Sequence, residues 1–193
     1  MKKAYIETYG CQMNVNDTEV IFSILAGEGY ARTESMEEAD LIMANTCSVR
    51  DNAEQRIWGR IEQLNLQRKR RPGVVVGIVG CMAERLKEKL LDTRKVDLVV
   101  GPDAYRSLPR LLKAITPDQP QIDVLLSRDE TYADITPVRT DKNGVSAFIS
   151  IMRGCNNVCS YCVCRTPAGR NVRATRTPLC ARPATFSRRD TRK

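Results

Sequence analysis

At 193 residues, with 42% hydrophobic and 28% charged residues, the chain can build one domain with a core, or one domain and part of another. It has no histidine, which excludes Cys/His zinc sites and imidazole acid–base chemistry, and no run apolar enough to span a membrane. The formal net charge of +8 is uneven: charges balance over residues 1–163 and the whole excess lies in 164–193, so the basicity is a property of a tail and not of the globular part.

In chain order, the start Met1-Lys2-Lys3-Ala4-Tyr5-Ile6-Glu7 sets an acid inside its apolar stretch and is no secretory signal. A cytoplasmic chain is expected, where thiols stay reduced and eight cysteines argue for metal or catalysis rather than disulfides. Ala4 to Thr8 reads as a strand. Asp17 to Ala26 places Val20, Ile21, Ile24 and Leu25 at helical spacing, closed by Gly27 and Gly29. Leu41 to Ala44 is a second buried strand. Ser48 can cap a long helix with Ala53, Ile57, Ile61 and Leu64 on its apolar side, running into the basic stretch Arg68 to Arg71, a solvated helix end. Val74 to Val79 is apolar on both faces, as in the centre of a parallel sheet. A helix over 83–91, a strand over 97–100 and a helix over 106–115 follow. Strands alternating with helices predict an α/β, doubly wound parallel sheet over residues 1–117. The pattern then fades into a proline-bearing linker over 118–143, and Val145 to Met152 resumes as a strand that delivers the chain to Cys155. Residues 164–193 read as a basic, disordered tail.

Cys11, Cys47 and Cys81 each stand just past the carboxyl end of a predicted strand, the edge where open α/β sheets bind ligands. Cysteines there from three strands can converge on one point, and the following helices aim their positive ends at it. One such cysteine would be an ordinary core residue. Three at equivalent positions are not, and with no histidine to help they suit an iron–sulfur cluster with one open iron, or a zinc.

Cys155, Cys159 and Cys162 form C-x-x-x-C-x-x-C in a loop after a strand, so one loop can wrap three corners of a four-iron cluster. Bacterial ferredoxins space their ligands differently and add a fourth, and zinc ribbons need two C-x-x-C pairs. Three ligands leave one iron free to chelate the amino and carboxylate groups of S-adenosylmethionine (SAM). Cys164 and Cys180 are assigned no role.

These residues resemble the radical-SAM methylthiotransferases over about residues 3–163. Gly10-Cys11-Gln12-Met13-Asn14 with Asp17 and Glu19, Asn45-Thr46-Cys47-Ser48-Val49-Arg50 and Gly80-Cys81-Met82-Ala83-Glu84-Arg85 look like the family's N-terminal domain. Ser150-Ile151-Met152-Arg153-Gly154-Cys155-Asn156-Asn157 looks like the entry to its radical-SAM partial barrel, of which residues 144–163 would be the first strand and cluster loop. The Gln12-Met13-Asn14 and Cys47-Ser48-Val49-Arg50 versions resemble the branch that makes 2-methylthio-N6-dimethylallyladenosine in tRNA. The resemblance implies two [4Fe-4S] clusters, an auxiliary one on Cys11, Cys47 and Cys81 and a SAM-binding one on Cys155, Cys159 and Cys162. The latter would split SAM to a 5′-deoxyadenosyl radical that takes hydrogen from C2 of an isopentenylated adenosine beside the anticodon. Sulfur would be delivered at the auxiliary cluster, with a second SAM supplying the methyl.

The family continues after its cluster loop with Val/Ile-Pro-aromatic-Thr-Arg-Gly-Arg, where this chain has Cys164-Arg165-Thr166-Pro167-Ala168-Gly169. Codons allowed for those six residues, read one nucleotide earlier, permit Val-Pro-Tyr-Thr-Arg-Gly. Residues 164–193 are therefore expected to be an out-of-frame tail on a truncated, inactive chain. A different class, a non-catalytic iron–sulfur or electron-transfer module, accounts for the same cysteines. The tail as a nucleic-acid arm is disfavoured, since Phe186 is its single aromatic.

Overall fold

A computed structural model describes residues 1–47, 51–93, 95–116, 119–127, 132, 135, 137–138, 150–160 and 172–173, with 51–54 and 172–173 as backbone only. The first strands and helices are β1 (Lys2–Thr8), α1 (Gln12–Gly27), β2 (Tyr30–Arg32), β3 (Leu41–Thr46), α2 (Asp51–Arg70) and β4 (Val75–Gly80). They are followed by α3 (Cys81–Leu86), α4 (Glu88–Asp92), β5 (Leu98–Val100), α5 (Leu108–Ala114) and β6 (Gln121–Asp123). Six parallel strands lie in the order β2-β1-β3-β4-β5-β6. The chain builds outward from β1 to β2, then returns to place β3 on the other side of β1. The carboxyl ends of β1 and β3 thus flank the point where strand order reverses, the place where open α/β sheets leave a crevice.

Residues alternate faces along a strand, and β3 is buried throughout and β4 from Val76 onward, so both sheet faces must be covered. Leu41, Met43, Val79, Leu98 and Val100 pack with Val20, Ile21 and Leu25 of α1 and with Leu108 and Leu111 of α5. Ile42, Ala44, Val76, Ile78 and Val99 pack on the other side with Ile57, Ile61 and Leu64 of α2, Met82 of α3 and Leu90 of α4. Helices on both faces of a parallel sheet make the fold doubly wound, as the sequence predicts.

Several elements differ from expectation. β2 and β6 are three-residue edge strands, too short for a two-residue period to show. β6 pairs with β5 inside the stretch read as a linker, carrying the sheet past the boundary expected at 117. α1 starts at Gln12, five residues before the start expected at Asp17, because Asn14, Asn16, Asp17, Thr18 and Glu19 are buried polar residues. The expected helix over 83–91 is two helices broken at Lys87, whose φ of 47° interrupts the ladder. Most of the strand expected over 145–152 lies outside the described residues, as does the Ser48 cap. Its last residue begins β7 (Met152–Arg153), which pairs antiparallel with β8 (Val172–Arg173), the described part of the tail.

Candidate metal centre

Cys11 is the N-cap of α1, reached through Gly10 at the end of β1. Cys47 directly follows β3, and Cys81 opens α3 directly after β4. The register sets these ends side by side, with Thr8 opposite Asn45 and Thr46 opposite Gly80. Two glycines make the approach close. Gly10 has φ +140°, and a Cβ there would fall 2.7 Å from Cys47 Cβ. Gly80 has φ +92°, and its Cβ would fall 2.6 Å from Thr46 O. Neither conformation nor space suits a side chain, so these turns require glycine.

A buried polar network backs the three cysteines. Asn14 Nδ2 donates to Asn45 Oδ1 at 3.1 Å. Asn45 Nδ2 donates to Asn14 O at 2.8 Å and to Thr18 Oγ1 at 2.9 Å. Asn14 Oδ1 accepts from the backbone N–H of Cys11 at 3.2 Å, and Thr46 Oγ1 donates to Val79 O at 2.9 Å. The bonds between Asn14 and Asn45 tie the Cys11 turn to the Cys47 turn, and the Thr46–Val79 bond ties the latter to the strand before Cys81. A buried network satisfied in this way fixes a single arrangement.

All three are free thiols: Cys11 is exposed, Cys47 and Cys81 half-buried. Burial, the neighbouring Cys47 and Asp17 push the Cys81 thiol up to about 12, against a smaller opposing pull from Arg153. Mutual repulsion among adjacent sulfurs is what a bound cation reverses, since metal ligation deprotonates thiols. Three soft donors at one sheet edge therefore fit a thiolate-bound metal in chemistry and placement. As they stand, no group of three or more Cys, Asp or Glu among the described residues is arranged to hold a metal ion. The helix contribution expected from the sequence is also narrower: α1 runs sixteen residues, but α3 only six, and residues 48–50 before α2 lie outside the described residues.

Of the second set, Cys155 is half-buried and Cys159 exposed, both free; Cys162, Cys164 and Cys180 lie outside the described residues. Sequence reasoning missed what holds this loop. Arg153, two residues before Cys155, is buried against Asp17 and Asp103, and Tyr105 and Tyr132 stack beside it. The signal was present in part, because Asp17 and Arg153 belong to the quoted motifs, but their partnership across the chain is invisible locally.

The family model described as Uncharacterized protein family UPF0004 matches residues 3–101. Among curated proteins, the chain is 56% identical over 174 residues to the mitochondrial tRNA methylthiotransferase CDK5RAP1 of Homo sapiens, covering 88% of this chain and 29% of that protein. It is 55% identical over 170 residues to the tRNA-2-methylthio-N(6)-dimethylallyladenosine synthase of Amoebophilus asiaticus, covering 88% and 35%. The protein of the same name from Chloroherpeton thalassium is 54% identical over 169 residues, covering 87% and 37%. The chain spans about a third of the length of these relatives.

Proposed function

This chain belongs to the methylthiotransferase family marked by the UPF0004 domain, and on that premise we propose that it carries the iron–sulfur sites of a tRNA methylthiotransferase. Cys11, Cys47 and Cys81 hold one [4Fe-4S] cluster; Cys155, Cys159 and Cys162 hold a second whose open iron takes SAM. Bound together, these groups supply the radical that breaks an unactivated C–H bond at C2 of an isopentenylated adenosine, and the sulfur that replaces the hydrogen. The substrate is the anticodon loop of tRNA, where unstacked bases are accessible, and the compartment is the cytoplasm. The protein's own share is placement: Gly10 and Gly80 bring three thiols to one edge, and Asn14 and Asn45 hold the turns that bear them.

One observation carries the reading: three cysteines follow three adjacent parallel strands at the point where strand order reverses. No helix among the described residues is long and apolar enough to cross a membrane, which suits a partner in solution. Anaerobic reconstitution with iron and sulfide tests the proposal. The chain is expected to take up about eight iron and eight sulfide, two four-iron clusters. Cys11→Ala, Cys47→Ala or Cys81→Ala should each lose about half, and Cys155→Ala the other half. Iron uptake unchanged by all four would sink the proposal. Full clusters with intact redox activity but low affinity for SAM would point instead to an electron-transfer module.

A further inference from the structure

Residues 150–160 contain one buried residue, and it is a cation. Arg153 is 8% exposed, whereas Ile151, Met152 and Val158 are 59%, 38% and 77% exposed. Apolar packing therefore does not seat this segment on the sheet. A buried guanidinium is costly unless charges and acceptors surround it, and here they do. Its Nη2 donates to Pro102 O at 2.7 Å. Its Nε lies 3.3 Å from Asp103 Oδ1, and its Nη1 lies 3.6 Å from Asp17 Oδ1. Its Cζ stands 5.0 Å from the centre of the Tyr132 ring, within cation–π range.

The socket is itself braced. Tyr132 Oη donates to Pro102 O at 2.9 Å and accepts from the backbone N–H of Tyr105 at 2.9 Å. Tyr105 Oη donates to Asp17 Oδ2 at 3.1 Å, and the two tyrosine rings stack with centres 5.4 Å apart. Asp17 belongs to α1, the helix that Cys11 caps, and Asp103 follows β5. Asp17 is buried and the Asp103 side chain is only 10% exposed, so the socket needs a cation as Arg153 needs acids. The two ends of the link are short in sequence: Asp17 is six residues from Cys11, and Arg153 two from Cys155.

We propose that Arg153 is a positioning residue, the plug that seats the Cys155–Cys159 loop beside the sheet edge bearing Cys11, Cys47 and Cys81 and so fixes the separation of the two cysteine sets. Its meaning for catalysis rests on the proposed function, but the seating does not. The planar fork matters as well as the charge, because three partners lie in different directions from one guanidinium.

Hydrogen exchange on the full chain without metal reads the seating directly. In Arg153→Ala, amides of residues 150–160 should exchange at least about 10-fold faster while β1, β3 and β4 keep wild-type rates. Arg153→Lys should fall between the two. If loss of the cation unfolds the sheet, Asp103→Asn, which leaves Asp17 paired, should speed exchange over 150–160 alone by about 3-fold or more. Protection over 150–160 unchanged in both Arg153→Ala and Asp103→Asn overturns the proposal. A second readout separates positioning from stability. In reconstituted, reduced protein, Arg153→Lys should keep the iron content of the wild type and lose the magnetic interaction between clusters seen by electron paramagnetic resonance. Unchanged interaction in that variant also overturns it. Absence of iron in the wild type would count against the proposed function and leave the exchange result to decide the seating.

Discussion

Glu84, on α3 three residues after Cys81, is 4% exposed, and its Oε2 has no donor. A Cβ on Gly101 would lie 2.8 Å from that oxygen and 3.1 Å from Val124 Cα, so a side chain there would crowd the carboxyl. Burial raises the carboxyl above its usual value, Asp103 adds to this, and Lys87, 3.5 Å from Oε1, opposes it. The folded state therefore holds the Glu84 proton more tightly than the unfolded chain. Its contribution is complete below the unfolded value of 4.5 and is lost as pH rises through the higher folded value. Glu84→Gln removes that dependence: urea unfolding should show the variant gaining on the wild type as pH rises from 4 to 8. A gap constant with pH would mean that the fold leaves the Glu84 carboxyl unshifted. Nothing in the sequence marks this residue as strained. Its motif neighbour Cys81 was legible because cysteine chemistry is rare and its place after a strand is readable. Glu84, Asn45 and Arg153 take their meaning from partners 17 to 136 residues away.

The elements that define the candidate site are the turns, and glycine sets two of them. At Gly10 an added methyl would meet Asn14 Oδ1 at 2.4 Å as well as Cys47, at a φ side chains avoid. At Gly80 the obstacles are Asn45 Oδ1 and the backbone O and N of Thr46, and the backbone atoms cannot rotate away. Gly10→Ala and Gly80→Ala should each cost about 1–3 kcal/mol and lower iron uptake. Gly59→Ala, on α2 with open space around it, should gain up to about 1 kcal/mol and leave iron uptake alone. Denaturation midpoints and iron analysis on the three variants check this, and equal effects at Gly10 and Gly59 would refute it. The same contrast explains which elements could be read. β3 and β4 announce themselves because both faces are buried and the runs Leu41 to Ala44 and Val75 to Gly80 are apolar or small. The start of α1 does not, because it buries Asn14, Asn16 and Asp17, and a hydrophobic period is blind to polar burial.

For the whole molecule, the strand edge decides what part of the chain stands alone. Composition and pattern place the end of the first domain at 117, but β6 closes the sheet at Gln121–Asp123. Its addition satisfies β5 through Gln121 N–H to Asp97 O and Gly101 N–H to Asp123 O, each 2.8 Å. A chain ending at 117 would leave β5, a strand buried along its whole length, as an open hydrophobic edge. A chain ending at 127 would keep β6 and the bond from Ser127 N–H to Asp103 Oδ2, but not Arg153 or Tyr132. Asp17 and Asp103 would then lose their buried cation partner. The 1–127 chain should therefore melt below the full chain, and 1–117 lower still by about 4–8 °C with a tendency to aggregate. Adding Asp17→Asn to 1–127 should recover part of its loss at neutral pH, because a neutral amide there no longer needs the countercharge. Thermal melts of these three chains beside the full one measure it. A 1–117 chain as stable as 1–127 would show that β6 is an ornament on a sheet already closed at β5.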